Sequence, residues 1–130
     1  MRIIVCGSRH WTNVERVRQI LAVLPLDTVI VHGACQGADT IADTVAKGLG
    51  METEPHPADW GLYGKAAGPI RNKQMLDAGT GMVIAFHNGL MQSKGTKNMV
   101  KLARDANVHV KYVTDDFVWD APGMVTPALI

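Results

Sequence analysis

The feature that most constrains the fold is a strand, a glycine-rich turn and a helix in direct succession over residues 28–49. Residues 28–31 form a short apolar, β-branched run, which His32-Gly33-Ala34-Cys35-Gln36-Gly37-Ala38-Asp39 follows. Apolar side chains then recur at helical spacing, at Ile41, Ala42, Val45, Ala46 and Leu49. A short apolar run that ends in glycines is typical of a buried parallel strand. The stretch therefore predicts one strand-to-helix unit of an α/β sheet.

The turn within this unit has the composition of an anion-binding site. Gly33, Gly37 and Ala38 leave backbone N–H groups uncovered where the second helix begins. The N-terminus of a helix favours negative charge, so these groups would face an anion such as a phosphate. The alternative is a plain tight turn between strand and helix that binds nothing.

The same alternation of strand and helix extends along the chain. Thr12 and Glu15 form a capping box for the first helix, and Gly68-Pro69 fits the start of the third. Strands are predicted at residues 2–6, 28–31, 52–56, 82–86 and 108–113, and helices at about 12–24, 38–50, 68–79 and 96–106. We therefore expect an α/β, three-layer fold with a mostly parallel five-stranded sheet.

The chain is expected to form one domain over residues 1–114, followed by a C-terminal tail over 115–130. The tail contains two prolines and several apolar residues without clear periodicity. Packing against the domain, contact with a neighbouring subunit and disorder all remain open for it.

Glycines and isolated polar residues concentrate in the loops that follow the predicted strands. These loops span residues 7–11, 32–39, 57–68 and 87–96. Right-handed crossovers place all of them on one edge of a parallel sheet, where ligands bind in such folds. The sequence therefore predicts a ligand site at this edge.

Charge is distributed unevenly along the chain. The formal net charge of +1 argues against a dedicated duplex-DNA binder. Residues 65–104, however, carry seven Lys and Arg residues against Asp77 alone, a local balance of +6. Such a concentration favours an anionic partner. The alternative, a solvated helix face, suits Lys101 and Arg104 better than Lys65 or Arg71.

Composition narrows the class of protein further. Two cysteines, Cys6 and Cys35, do not make a disulfide framework and are expected to be reduced. No apolar run approaches the roughly 20 residues of a membrane span, and no signal-peptide pattern is present, so we expect a cytoplasmic protein without a membrane partner. No set of His, Cys and carboxylate residues has metal-ligand spacing, so neither a metal nor a cofactor is expected.

Residues 56–72 carry side chains suited to recognising a nucleotide. Arg71 suits bidentate contact with phosphate or carboxylate, and Asn72 offers both a donor and an acceptor. Trp60 or Tyr63 would stack on a base. Asp59 would bind a ribose hydroxyl or act as a general base; the alternative is that it caps a turn and pairs with Arg71.

Three side chains near strand ends remain open between functional and structural roles. His32 and His56 would donate to a phosphate or act as acid or base near neutral pH, and a structural role is equally consistent with their positions. Cys35 would be a nucleophile only with a lowered pKa.

Several motifs occur together in one order along residues 2–113. They are Cys6-Gly7-Ser8-Arg9, His32-Gly33-Ala34-Cys35-Gln36-Gly37-Ala38-Asp39, Pro57-Ala58-Asp59-Trp60, Tyr63-Gly64-Lys65-Ala66-Ala67-Gly68-Pro69-Ile70-Arg71-Asn72 and Gly95-Thr96. As a set they resemble the YspA-like branch of the SLOG superfamily. That superfamily of Rossmann-like domains includes the DNA-processing protein DprA/Smf and the cytokinin-activating LOG phosphoribohydrolases. The resemblance implies a Rossmann-like nucleotide pocket built from the loops named above.

The resemblance to LOG enzymes is partial. Those enzymes cleave the N-glycosidic bond of a nucleoside monophosphate with an Arg on the helix before the fourth strand and a Glu in a Pro-Gly-Gly-x-Gly-Thr-x-x-Glu motif. Arg71 stands where that Arg would be, and Gly95-Thr96 match the motif, but the Glu position is Met99. His87-Asn88-Gly89 and a longer loop replace Pro-Gly-Gly. The oxocarbenium-like transition state of this reaction needs a nearby carboxylate, which Asp39 or Asp59 would have to supply.

Three functions follow as hypotheses. The first is binding of a phosphorylated nucleotide or nucleotide-derived small molecule, as a sensor or sponge. The second is LOG-like N-ribosyl or phosphoribosyl hydrolysis, with Asp59 or Asp39 as the carboxylate and Arg71 on the phosphate; the third is DprA-like binding of single-stranded nucleic acid. The apolar tail and the resemblance together raise the expectation of a homodimer or higher homo-oligomer. The expected ligand-binding residues are Gly7, Ser8, Arg9, His32, Gly33, Ala34, Gly37, Ala38, Asp39, Asp59, Trp60, Tyr63, Lys65, Arg71, Asn72, Gly95 and Thr96.

Overall fold

Strands and helices alternate along the computed structural model, which describes residues 1–89 and 93–120. The strands are β1 (Arg2–Gly7), β2 (Val29–His32), β3 (Glu52–Pro55), β4 (Met82–Phe86), β5 (Val110–Val113) and β6 (Val118–Asp120). The helices are α1 (Val14–Leu21), α2 (Ala38–Gly48), α3 (Trp60–Tyr63), α4 (Ala67–Asp77) and α5 (Lys94–Asp105), with a 3₁₀ turn at Gly64–Ala66.

The six strands form one sheet in the order β3-β2-β1-β4-β5-β6. The first five are parallel, and β6 is antiparallel to β5. Strand order reverses between β1 and β4, whose last residues, Gly7 and Phe86, are paired. The carboxyl ends of these two strands therefore lie at the point where ligands bind in open α/β sheets.

Helices cover both faces of the sheet, as the predicted three-layer α/β fold requires. Successive side chains of β1 alternate between the faces, because a strand has a period of two. Ile3 and Val5 pack with buried residues of α1 and α2, whereas Ile4 packs with Met75 of α4 and Met99 of α5. The predicted fold class is confirmed.

The number of strands differs from the prediction, since β6 makes a sixth strand within the predicted tail. A tight turn precedes it, in which the Thr114 N–H donates to the Phe117 carbonyl over 2.8 Å. Three residues are too few to show a periodicity, which is why the sequence did not indicate this strand. Residues 121–130, the remainder of the predicted tail, lie outside the described residues.

Two local features also differ from the prediction. Asn13 rather than Thr12 caps α1, because its Oδ1 atom accepts from the Arg16 N–H over 3.0 Å. The predicted loop over residues 57–67 contains α3 and the 3₁₀ turn, and α3 begins after Asp59, whose carboxylate accepts from the Leu62 N–H over 3.0 Å. In the part of the chain that the structure describes, no helix has both the length and the apolar character needed to cross a bilayer.

Candidate functional site

A cavity of about 470 Å³ lies at the carboxyl ends of β1 and β4, where the strand order reverses. The loop after β1, the glycine turn after β2, the middle of α4 and the start of α5 form its walls. Nine of the sequence-predicted residues line it: Gly7, Ser8, Arg9, Gly33, Asp39, Arg71, Asn72, Gly95 and Thr96.

Arg71 forms the cationic wall of this cavity. Although only 8% of the residue is exposed, its guanidinium is held by backbone oxygens rather than by a carboxylate. Nη1 donates to the Gly33 carbonyl over 2.5 Å and to the His56 carbonyl over 3.2 Å, and Nε donates to Asn72 Oδ1 over 2.9 Å. Nη2 has a single, weaker contact of 3.9 Å with Cys35 Sγ. Within residues 1–89 and 93–120, no carboxylate lies within ion-pair distance of this arginine.

Two glycines make the close approaches that shape the cavity. A Cβ atom at Gly33 would lie 2.5 Å from Arg71 Nη1, so only a glycine leaves room for the guanidinium in its present position. A Cβ atom at Gly7 would lie 2.3 Å from the Phe86 carbonyl oxygen and 2.7 Å from the Ala38 Cβ atom. Both positions therefore depend on the missing side chain.

The glycine turn after β2 binds an anion that the chain itself supplies. Asp39 Oδ2 accepts from the N–H groups of Gly33 (3.0 Å) and Cys35 (3.2 Å). The Ala34 N–H donates to His32 Nδ1, and the Ala38 N–H donates to the Ser8 carbonyl. These four amides are consequently occupied, which differs from the expectation that amides of this turn face an external phosphate.

Asp39 is the one carboxylate among the described residues that line the cavity, and it is almost completely buried. Burial raises the pKa of Asp39, while the N–H groups of Cys35 and Gly33 and the positive charge of Arg71 oppose that rise. A buried carboxyl with a raised pKa can take up or release a proton closer to neutral pH than an ordinary aspartate.

The N-terminus of α5 forms another wall of the cavity. Ser93 caps this helix: its Oγ atom accepts from the Thr96 N–H over 3.4 Å and lies 2.9 Å from Thr96 Oγ1. Lys94 and Gly95, the first two residues of the helix, also line the cavity. The helix dipole and the Lys94 ammonium both favour negative charge here.

Sequence reasoning missed several lining residues, among them Cys6, His87, Ser93 and Lys94. His87 directly follows β4, in the position that Ser8 has after β1, and this placement could have identified it. Its Nδ1 atom accepts from the Gly89 N–H over 2.8 Å, and burial lowers the pKa of the ring. Burial also raises the pKa of the Cys6 thiol, so this cysteine is protonated at neutral pH.

Four predicted residues of the glycine turn are not part of the cavity lining. His32 is buried, and both ring nitrogens are occupied, since Nε2 lies 2.8 Å from Asp43 Oδ1 and Nδ1 accepts from Ala34. Gly37 and Ala38 pack against the loop after β1. Ala34 adopts a positive φ of 58° and connects the two halves of the turn. These residues shape the turn, and the structure does not bring them to the cavity surface.

The structure places the aromatic and acidic residues of the third loop outside the cavity as well. Trp60 and Tyr63 are exposed on α3, where the Trp60 ring lies over Gly68. The alternative prediction was that Asp59 caps a turn and pairs with Arg71. Asp59 does cap α3, but it makes no ion pair with Arg71. Lys65 is exposed in the 3₁₀ turn. No group of three or more His, Cys, Asp and Glu side chains among the described residues could hold a metal ion.

Comparison with known proteins identifies the family of the chain. The family model of the YspA, cpYpsA-related SLOG family matches residues 1–63, which include β1, the glycine turn and α2. The Gene 61 protein of Mycobacterium phage D29 is 38% identical over 118 residues, covering 84% of this chain and 93% of the phage protein. The chain belongs to the YspA, cpYpsA-related SLOG family.

Proposed function

We propose that the cavity binds a phosphorylated nucleotide or a nucleotide-derived small molecule and holds it intact, as a sensor or a sponge. The observation that carries the proposal is the buried guanidinium of Arg71, which makes no ion pair with a carboxylate among the described residues and lines the same cavity as the N-terminus of α5. A buried cation is costly unless an anion accompanies it, so this wall favours a ligand that brings negative charge.

The orientation of Arg71 supports a phosphate ligand. Backbone and Asn72 oxygens use Nη1 and Nε and so fix the plane of the guanidinium. Nη2 keeps its hydrogen-bonding capacity for a ligand. The Lys94 ammonium and the first amides of α5 would contact the same ligand. A charge-assisted hydrogen bond of this type contributes about 1.5–3 kcal/mol.

Asp39 supports a ligand that also carries hydrogen-bond donors. Its Oδ2 atom accepts both turn amides, and within the described residues no hydrogen bond reaches Oδ1. A ribose hydroxyl or a base amino group would satisfy that oxygen. A nucleotide combines this donor with the anion that Arg71 favours, and a volume of about 470 Å³ is within the usual range for small-molecule sites.

The test is a thermal-shift and calorimetry screen of nucleoside 5′-monophosphates against the corresponding nucleosides. A ligand at 100 times its Kd should stabilise the fold by about 2.7 kcal/mol, and the nucleosides should bind at least tenfold more weakly. Arg71→Lys should remove most of this preference for the phosphate, because a lysine cannot keep the same carbonyl contacts and reach the ligand. Lys73→Gln is the matched control, since it removes one positive charge from the exposed face of α4. No shift with any nucleotide at millimolar concentration would contradict the proposal.

Hydrolysis of the N-glycosidic bond is a second candidate, and the position of Asp39 favours it. This carboxyl shares the cavity with Arg71, whereas Asp59 lies outside. Turnover would be supported if chromatography detects the release of free base and if the Asp39→Asn variant releases none. Asp77→Asn is the control, because Asp77 is an exposed residue of α4. Recovery of the intact nucleotide after long incubation would leave binding alone as the function.

A further inference from the structure

A second, larger cavity of about 800 Å³ runs along the exposed side of α5. Its lining extends from Lys94, the first residue of the helix, to Asp105, the last. This groove, which we call the α5 groove, accounts for most of the basic residues that the sequence concentrates between residues 65 and 104.

The α5 groove is strongly cationic. Lys94, Lys97, Lys101 and Arg104 line it at spacings of three, four and three residues, which place them on one face of the helix. Lys101 pairs with Asp105 over 2.7 Å. For the other three, no carboxylate lies within ion-pair distance in the portion of the chain that is described. The groove therefore presents a row of cations that an anionic partner would neutralise.

The α5 groove joins the nucleotide cavity. Lys94 lines both. Asn72 lies in the cavity wall, and its side chain accepts a hydrogen bond from Arg71 Nε over 2.9 Å. The same side chain donates over 3.0 Å to Oδ1 of Asn98, which lies in the groove wall. A ligand in the cavity can thus continue into the groove without crossing an acidic surface.

The cations are spaced for a chain of phosphates. Ten residues of α-helix separate Lys94 from Arg104, a rise of about 15 Å. At about 3.4 Å between successive phosphates of one stacked strand, this length spans about four intervals and therefore about five phosphates. Tyr112, which is only 9% exposed, lies at the base of the groove and is stacked on Trp119, with ring centroids 5.6 Å apart.

We propose that the α5 groove binds the phosphodiester backbone of a single-stranded nucleic acid whose terminal nucleotide occupies the cavity. This inference rests on the proposed nucleotide site and specifies its ligand as a strand end. A duplex does not fit the arrangement, because its terminal nucleotide is paired and cannot enter a cavity of about 470 Å³ alone. A positively charged groove that follows the backbone is one of the elements by which proteins bind single strands.

The test compares pentanucleotides of dA, dC and dT, and their ribonucleotide counterparts, with the matching 5′-mononucleotides. Binding is measured by fluorescence anisotropy, by competition and across a range of salt concentrations. We expect the best pentanucleotide to bind at least tenfold more tightly than its mononucleotide, which should compete with it. Lys97→Glu/Arg104→Glu should weaken pentanucleotide binding at least tenfold, lower the salt slope by about 1.4 because two phosphate contacts are lost, and leave mononucleotide affinity within twofold.

Arg18→Glu/Lys73→Glu is the matched control, since it changes net charge equally on other surfaces and should leave both affinities unchanged. Equal affinity for pentanucleotide and mononucleotide, or an unchanged affinity in the groove variant, would overturn this inference and leave the proposed function standing. Pentanucleotide binding without competition by the mononucleotide, or equally tight binding of a blunt duplex, would also overturn it. If no mononucleotide and no pentanucleotide binds, both proposals fail.

Discussion

Gly33→Ala tests how the cavity holds its arginine. The backbone at Gly33 has no positive φ, so an alanine meets no conformational strain there. Its Cβ atom, however, would lie 2.5 Å from Arg71 Nη1 and 2.6 Å from Cζ. Because carbon contacts are most favourable at about 3.5–4.0 Å, the guanidinium must withdraw by about 1 Å.

The energetic consequence follows from the bonds that this withdrawal breaks. The contacts from Nη1 to the carbonyls of Gly33 and His56 are 2.5 and 3.2 Å long, and both would exceed hydrogen-bonding distance or weaken sharply. Each hydrogen bond to a charged donor contributes about 1.5–3 kcal/mol, and water in the cavity replaces part of this loss. Alanine also restricts the unfolded chain more than glycine does, which stabilises the folded state by about 0.4–1 kcal/mol. We expect a net loss of about 1.5–2.5 kcal/mol in the free energy of unfolding.

The assay is urea unfolding monitored by tryptophan fluorescence. The urea midpoints of variant and wild type are compared, provided that their m-values are equal. Gly48→Ala is the matched control, because nothing lies within 4 Å of its added Cβ atom in α2. That variant should gain about 0.5–1 kcal/mol, as alanine is the better helix former. A Gly33→Ala protein within 0.5 kcal/mol of the wild type would refute the argument that Arg71 is fixed by close contact with this glycine.

Three further predictions concern other parts of the fold. Asn13→Ala should cost about 1 kcal/mol in chemical unfolding, whereas Thr12→Ala should cost nothing measurable, because only Asn13 caps α1; equal losses in both would contradict this assignment. Hydrogen bonds from Arg2 and His56 lower the pKa of Glu54 from 4.5 to about 2, so its contribution to stability is complete above pH 4.5 and is lost as the pH falls through 2. As the pH falls from 4.5 to 2, the urea midpoint of Glu54→Gln should therefore decrease less than that of the wild type. Glu52→Gln is the control. Parallel curves of midpoint against pH for Glu54→Gln and the wild type would argue against these hydrogen bonds to Glu54. In the native protein a thiol reagent should label the exposed Cys35 rapidly and the half-buried, protonated Cys6 slowly, so that Cys35→Ser removes the fast phase and Cys6→Ser does not.

The fold was predictable where apolar pattern and burial coincide. Residues 82–86 were predicted as a strand and form β4 with the same bounds, because this run is almost wholly buried and ends in polar residues. The same alternation of strands and helices predicted a ligand site at one edge of the sheet, and a cavity lies at that edge. The predicted family is confirmed by the comparisons.

Side-chain roles in the loops were harder to predict, because they depend on contacts between distant parts of the chain. The sequence placed His32 and Asp39 together in one turn, but it did not indicate that His32 bonds to Asp43 while Asp39 fills the turn from within. Likewise, Asp59 and Arg71 lie in one segment, yet α3 directs the first away from the cavity that the second lines. Hydrogen bonds of this kind produce no periodic pattern in the sequence.

The outer edge of β3 has a consequence for association between molecules. Among residues 1–89 and 93–120 this strand pairs only with β2, so its other side carries backbone groups with which a strand of another copy could pair. Pro55 has no N–H to offer there, and Glu52 and Glu54 bring charge to a strand of only four residues. Short, charged, proline-containing edges resist strand addition. The sheet is therefore protected at this side against edge-to-edge aggregation, even at high protein concentration.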